Sequence, residues 1–182
     1  SVQLFEASQS GNDAAGSARL LQTLPALHAA AFLQDAVYMA AAWKHRDLEK
    51  EDFHSALNAA FFEQEIRNTA VLLKRGRPLP PGWRLPAYAD IARTIFGRMD
   101  PKQRFVALVE SQNRSFRLFF RQGTLTATEL EDSPQALRAR IADLLGRSRA
   151  GTLDLDELLR MSREYRMIFG LGESRITYVW LP

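Results

Sequence analysis

The sequence predicts an α+β fold, in which an N-terminal antiparallel helix hairpin is followed by a small, mainly antiparallel β-sheet packed on helices. Apolar residues before residue 76 recur at helical spacing, whereas those between residues 105 and 128 occur in short, strand-like runs. Four prolines between residues 76 and 86 separate the two parts. Because the helical part precedes the strands instead of alternating with them, the pattern argues against a doubly wound parallel sheet.

Length and composition are those of an ordinary globular chain. The 182 residues are 46% hydrophobic and 25% charged, which suits one domain with a helical extension. The net charge of +3 is too small to indicate a nucleic-acid partner by itself. The absence of cysteine excludes disulfides, zinc-thiolate sites and cysteine nucleophiles, and is compatible with either side of a membrane.

The helical part is expected over residues 18–76, after a small and polar flexible arm at residues 1–17. We expect one long helix to run to about Lys44, and a second to begin at an Asp47 cap and end at Gly76. The buried stripe of the second helix should consist of Phe53, Leu57, Phe61, Phe62, Ile66, Ala70 and Leu73. Only a few residues join these helices, so they should pack as an antiparallel hairpin.

A proline-rich joint at residues 77–86 should connect the hairpin to an α+β domain at residues 87–182. This domain is expected to begin with a short helix at residues 88–96. An antiparallel meander should follow, because three strand-like runs are separated by short polar turns. Two of the runs are apolar, at residues 105–109 and 116–120, and the third is β-branched, at residues 124–128.

Two helices and a last strand should complete the domain. Ser133 and Pro134 are typical of a helix start, and Asp154 with Glu157 resembles a capping box. The second of these helices is expected to bury Leu155, Leu158, Leu159, Tyr165 and Phe169 before Gly170. Residues 176–181 form a continuous apolar run, which predicts a strand in the middle of a sheet with both faces buried.

No catalytic, cofactor or metal site is predicted. His28, His45 and His54 have no Ser or Asp partner at a recognisable spacing, and no glycine-rich phosphate loop occurs. The acidic group at residues 154–157 fits a helix N-terminus better than a calcium loop. The most apolar window, residues 24–43, is rich in alanine and interrupted by polar residues, so we expect no membrane span and a cytoplasmic chain.

Arginine is abundant in the later helices. Arg138, Arg149, Arg160 and Arg163 could form a basic surface for nucleic acid or another polyanion. Interleaved acidic residues and the lack of an aromatic platform for bases favour a solvated helix surface instead.

The second half of the chain also resembles the segment that leads into the CHAT domain, the caspase-like peptidase module of bacteria. Residues 85–91 (Leu-Pro-Ala-Tyr-Ala-Asp-Ile) look like the family's Pro-x-Tyr-x-x-Leu motif, and residues 105–120 look like its opening hairpin. Residues 137–145 are similar to its following helix, residues 165–170 to its Leu-Tyr-x-x-Leu-Leu-Gly turn, and residues 178–182 to its apolar strand ending in proline. The catalytic His and Cys of the family would follow residue 182, so the resemblance assigns no catalytic residue and implies a pre-catalytic or regulatory segment.

The leading hypothesis is therefore a non-catalytic bacterial regulatory or protein-interaction module, which would accompany a caspase-like peptidase. Its protein-binding residues are expected to be Tyr178, Trp180 and Leu181, near an apolar patch or an uncovered strand edge. The second hypothesis is a basic adaptor that binds a polyanion through the arginine-bearing helices. The sequence leaves the partner and the oligomeric state open.

Overall fold

A computed structural model describes residues 26–77, 91–149, 155–170 and 177–180. The chain divides into two compact units, Ser1–Arg98 and Met99–Pro182, which we describe separately as the helical unit and the sheet unit. The predicted arm at residues 1–17 and residues 78–86 of the predicted joint lie outside the described residues.

Two long helices form the core of the helical unit. Helix α1 (Ala26–Glu49) and helix α2 (Phe53–Lys74) pack along their lengths, which confirms the predicted hairpin. Most contact residues on α1 are alanines, and such small side chains let two helices approach closely. The buried cluster contains Ala29, Ala30, Leu33, Ala36, Val37 and Ala40 from α1 and Phe62, Ile66, Ala70 and Leu73 from α2.

The predicted boundary between the two helices is wrong by about a turn. Helix α1 continues past Lys44, and Asp47 is a buried residue of its last turns, with 4% of its surface exposed. The cap of α2 is Asp52, whose carboxylate accepts a hydrogen bond from the Ser55 amide at 3.1 Å. Burial of Leu48 extends the apolar face of α1. The chain reverses its direction between the two helices at Glu51, which has a positive φ of 57°.

A short helix, α3 (Ile91–Phe96), belongs to the helical unit. Asn58 of α2 accepts a hydrogen bond from the Ala92 amide at 2.8 Å, so a side chain of α2 satisfies an amide that the first turn of α3 leaves unpaired. The ring of His54 meets that of Phe96 edge-on, with 6.4 Å between centroids. These contacts fix α3 against α2.

The sheet unit contains the predicted meander. Strands β1 (Arg104–Glu110), β2 (Ser115–Arg121) and β3 (Thr124–Leu130) pair antiparallel in sequence order. The turn between β2 and β3 has positive φ at both central residues, Gln122 (50°) and Gly123 (81°), as the tightest hairpin turns require. The predicted three-strand arrangement is confirmed.

The sequence predicted that the last strand lies in the middle of the sheet, and this prediction is wrong. Strand β4 (Thr177–Trp180) pairs parallel to β1, and the strand order is β3-β2-β1-β4. One side of β1 is already occupied by β2, because the two strands form a hairpin. The returning chain can therefore pair only with the other side of β1, which makes β4 an edge of the described sheet.

Two helices cover one face of the sheet. Helix α4 (Pro134–Arg149) begins at the predicted cap, where the Ser133 hydroxyl accepts a hydrogen bond from the Ala136 amide at 3.3 Å. Helix α5 (Leu155–Phe169) follows. With β1 they form a core of Val106, Leu108, Leu137, Leu144, Met161, Ile168 and Phe169. The opposite face of β1 and β2 is also buried, at Phe105, Ala107, Val109, Phe116, Leu118 and Phe120.

The predicted apolar stripe of α5 is partly wrong. Leu155, Leu158 and Leu159 are exposed, whereas Met161, Ile168 and Phe169 are buried. Met161 and Ile168 are seven residues apart, with the half-buried Tyr165 between them, and this row faces the sheet. Leu155 and Leu159 lie on other sides of the helix, whereas Leu158 shares the side of Met161 and Tyr165 but is also exposed. Helix α5 therefore carries exposed apolar surface near its N-terminus.

Candidate functional site

Two of the predicted protein-binding residues, Tyr178 and Trp180, lie on the edge strand of the described sheet. Tyr178 pairs with Phe105 and Trp180 with Ala107, and no strand of the described sheet pairs with the other side of β4. Leu181 lies outside the described residues. An unpaired edge presents a row of backbone N–H and C=O groups that another strand can bind.

The arginines predicted to bind a polyanion have different surroundings. Arg138 of α4 donates to Glu110 of β1 through Nε, at 3.1 Å from Oε1, and also through Nη2. Arg160 lies 3.5 Å from Glu157 on the same helix, and Arg163 is exposed. The side chain of Arg149 lies outside the described residues. Carboxylates are therefore paired with Arg138 and Arg160.

Two other arginines connect the helices of the sheet unit. Arg140 of α4 lies 2.8 Å from both Asp132 and Glu164, and these two carboxylates raise its pKa by hydrogen bonding, Glu164 more than Asp132. Arg147, in the last turn of α4, contacts Asp143 at 2.6 Å and Glu164 at 3.7 Å. These guanidinium groups hold α4 against α5 and are engaged in the fold.

Arg117 of β2 caps the C-terminus of α5, a role that sequence reasoning missed. Its Nη1 atom donates to the carbonyl oxygens of Met167, at 2.8 Å, and Ile168, at 3.3 Å. A guanidinium at this end of a helix donates hydrogen bonds to the unpaired carbonyl oxygens, and its positive charge interacts favourably with the negative end of the helix dipole. Gly170, at a φ of 61°, ends the helix directly beside the Arg117 guanidinium.

We expect Gly170→Ala to lower the free energy of unfolding of the sheet unit by about 1–2 kcal/mol. The alanine would have to adopt a left-handed backbone conformation, and its methyl group would lie 3.0 Å from the Arg117 guanidinium carbon. Urea denaturation measures the effect. Gly123→Ala is the matched control, since its φ is also positive but a methyl there would meet nothing within 4 Å. Equal losses in both variants would show that the contact with Arg117 has no energetic consequence.

A cavity of about 240 Å³ lies where β3 runs into α4. Acidic residues, one arginine and apolar residues line it, and no histidine does. The lining residues are Glu129, Leu130, Glu131, Asp132, Leu137, Arg140, Met167 and Ile168. The run Glu-Leu-Glu-Asp at residues 129–132, directly after a predicted strand, was the only sequence signal for it.

Glu129 is held in its ionised form. Arg114 donates to both of its carboxylate oxygens at 2.7 Å, and this hydrogen bonding lowers the pKa of Glu129 below its usual value. Arg114 in turn lies over the Phe116 ring, with 4.8 Å between its guanidinium carbon and the ring centroid. The register pairs Glu129 with Phe116, so its side chain lies on the face of the sheet away from α4 and α5, and its charge is compensated by Arg114.

In an NMR pH titration, we expect the Glu129 carboxyl carbon to show a midpoint below that of ordinary glutamates. Because its folded-state pKa is depressed, the pair with Arg114 stabilises the fold above the unfolded-state pKa, and this contribution is lost as pH falls through the folded-state value. Arg114→Ala should return the midpoint to the usual range. A midpoint that this substitution leaves unchanged would contradict the assigned cause.

The three histidines do not converge on the cavity. His28 and His54 are exposed, His45 is half-buried, and all three belong to the helical unit. Among the residues that the structure describes, no group of three or more His, Cys, Asp or Glu side chains is placed to hold a metal ion. In the same part of the chain, no helix combines the length and apolar character needed to span a bilayer.

Comparison with known proteins gave no match: no protein-family model, no curated protein and no solved structure is significantly similar to this chain.

Proposed function

We propose that the chain is a non-catalytic protein-interaction module that binds an extended segment of a partner protein along β4. The observation that carries the proposal is the open outer edge of this strand in the described sheet. Strand addition supplies affinity through main-chain hydrogen bonds, and pockets for alternate side chains supply specificity. The aromatic residues Tyr178 and Trp180 are of the types most enriched in binding hot spots.

The chemistry of the cavity also supports binding over catalysis. A general acid or base works best when its pKa lies near the operating pH. In the sheet unit, hydrogen bonding moves the pKa of Glu129 downward and that of Arg140, which lines the cavity, upward, away from neutrality in both cases. These two groups are suited to electrostatic recognition and unsuited to proton transfer near neutral pH.

A place beside a caspase-like peptidase belongs to the same proposal. Its support is the sequence resemblance to the segment that precedes CHAT modules, including the strand at residues 178–182. In such an arrangement, the outer edge of β4 would pair with a strand of the peptidase module.

A displayed library of short random peptides, selected against the full chain, tests the proposal. We expect enriched peptides of alternating β-branched and apolar residues, with affinities measured by calorimetry. Trp180→Lys and Tyr178→Lys should each weaken binding by about tenfold or more, because a charge on an edge strand opposes strand addition.

Ser162→Lys, at an exposed position of α5, is the matched control and should leave the affinity within about twofold. Circular dichroism of all three variants verifies that they fold. A library without binders, or one in which every binder tolerates both β4 substitutions in folded protein, would refute the proposal.

A further inference from the structure

The cavity between β3 and α4 adjoins the second open edge of the sheet. Within the described residues, no strand pairs with the outer side of β3, and Glu129 and Leu130 of this strand line the cavity. An extended chain added to β3 would therefore pass directly over the cavity and could place one side chain in it.

The lining of the cavity suits a long cationic side chain. Leu130, Leu137 and Ile168 provide apolar surface, and Glu131 and Asp132 provide negative charge. Lysine and arginine bury their methylene stems on apolar surface while the charged head remains near water or a carboxylate. A neutral polar or acidic side chain would match only part of this lining.

The carboxylates of the cavity are not equally available. Arg114 is paired with Glu129, and Arg140 is paired with Asp132. Glu131 is exposed and has no hydrogen-bond or ion-pair partner among the described residues. The positive charge of Arg140 is itself balanced by Asp132 and Glu164, so Glu131 leaves an excess of negative charge at the cavity.

We propose that the edge of β3 binds an extended peptide segment that places a lysine or arginine side chain in this cavity. The peptide backbone would continue the sheet, and Glu131 would receive the cationic head in a charge-assisted hydrogen bond. This site lies at the edge opposite to β4, so the proposal stands whether or not β4 binds a partner.

The test uses fluorescence anisotropy with labelled synthetic peptides and the full chain. One peptide carries a single central lysine among alternating threonine and valine residues. A second carries glutamine in place of lysine, and a third has the lysine sequence with N-methyl groups on alternate backbone nitrogens. We expect the glutamine and N-methylated peptides to bind about tenfold more weakly or worse, because each lacks one of the two recognised features.

Substitutions in the protein locate the site. Glu131→Gln removes the unpaired charge from an exposed side chain and should weaken binding of the lysine peptide by about tenfold. Glu65→Gln, the same change at an exposed position of α2, is the matched control and should leave affinity within about twofold. Affinity for the lysine peptide should also fall as salt concentration rises.

Four outcomes would overturn the proposal. These are equal binding of the lysine and glutamine peptides, tolerance of N-methylation, no effect of Glu131→Gln, and binding of free lysine amide as tight as that of the peptide. A second copy of the chain could occupy this edge instead of a peptide, and analytical ultracentrifugation tests for it. A dimer that dissociates in the Glu131→Gln variant would show that the ligand is the second copy and would contradict the proposal. Trp180→Lys should not affect this binding, so the β3 and β4 proposals can fail separately.

Discussion

Phe169→Ala is expected to lower the free energy of unfolding of the sheet unit by about 3–5 kcal/mol, the usual cost of removing a fully buried aromatic side chain. Phe169 is completely buried at the end of α5, and the centroid of its ring lies 4.5 Å from the centroid of the Tyr165 ring. It shares the core with Val106 and Leu108 of β1, so its loss leaves a void between helix and sheet. Hydrogen exchange of the β1 and β2 amides measures the stability of this unit directly.

Leu159→Ala is the matched control on the same helix. Leu159 keeps 48% of its surface exposed, so its truncation should cost no more than about 0.5–1 kcal/mol. The stripe predicted from the sequence would require a loss of about 2–5 kcal/mol at this leucine. Similar losses at Leu159 and Phe169 would therefore mean that α5 faces the sheet with a different side.

Local signals in the sequence predicted much of the fold. Ser133 caps α4, Gln122 and Gly123 form a tight turn, and Gly170 ends α5, because each of these depends on a few neighbouring residues. The helix hairpin was predictable for the same reason, since its apolar spacing is long and regular.

The errors arise where tertiary contacts decide. Asp47 and Asp52 are equally good caps locally, and burial of Leu48 selects the later one. Helix α5 contains more apolar residues than one face can bury, so packing on the sheet selects Met161 and Ile168 over Leu155. The position of β4 follows from the side of β1 that β2 leaves open, and no local pattern contains this information.

The candidate sites were predictable to different degrees. The apolar run at residues 176–181 predicted a strand in the middle of a sheet, whereas β4 is an edge strand of the described sheet. The cavity beside Glu131 depends on how α4 and α5 meet the end of β3, and so its only signal in the sequence was a cluster of acidic residues. The arginines look alike in the sequence, although Arg138 is paired across elements and Arg163 is exposed.

This difference between the arginines leads to the second large expected effect: Arg138→Ala should destabilise the sheet unit by about 2–3 kcal/mol. Glu110 is 6% exposed on β1, and Arg138 donates to both of its carboxylate oxygens. Removing the guanidinium leaves a buried carboxylate without this partner, which costs more than the loss of an exposed ion pair. Urea denaturation monitored by circular dichroism measures the change.

Two further variants separate the charge effect from other causes. The double variant Glu110→Leu with Arg138→Leu should recover most of the stability that Arg138→Ala loses, because replacing both partners by apolar groups removes the unpaired charge. Arg163→Ala, at an exposed position of α5, should change stability by no more than about 0.5 kcal/mol. If Arg138→Ala is as mild as Arg163→Ala, the pair with Glu110 contributes little to stability. If the expected loss is observed, weaker polyanion binding by Arg138→Ala reports unfolding rather than a lost contact, and the basic-adaptor hypothesis is then tested with Arg149, Arg160 and Arg163.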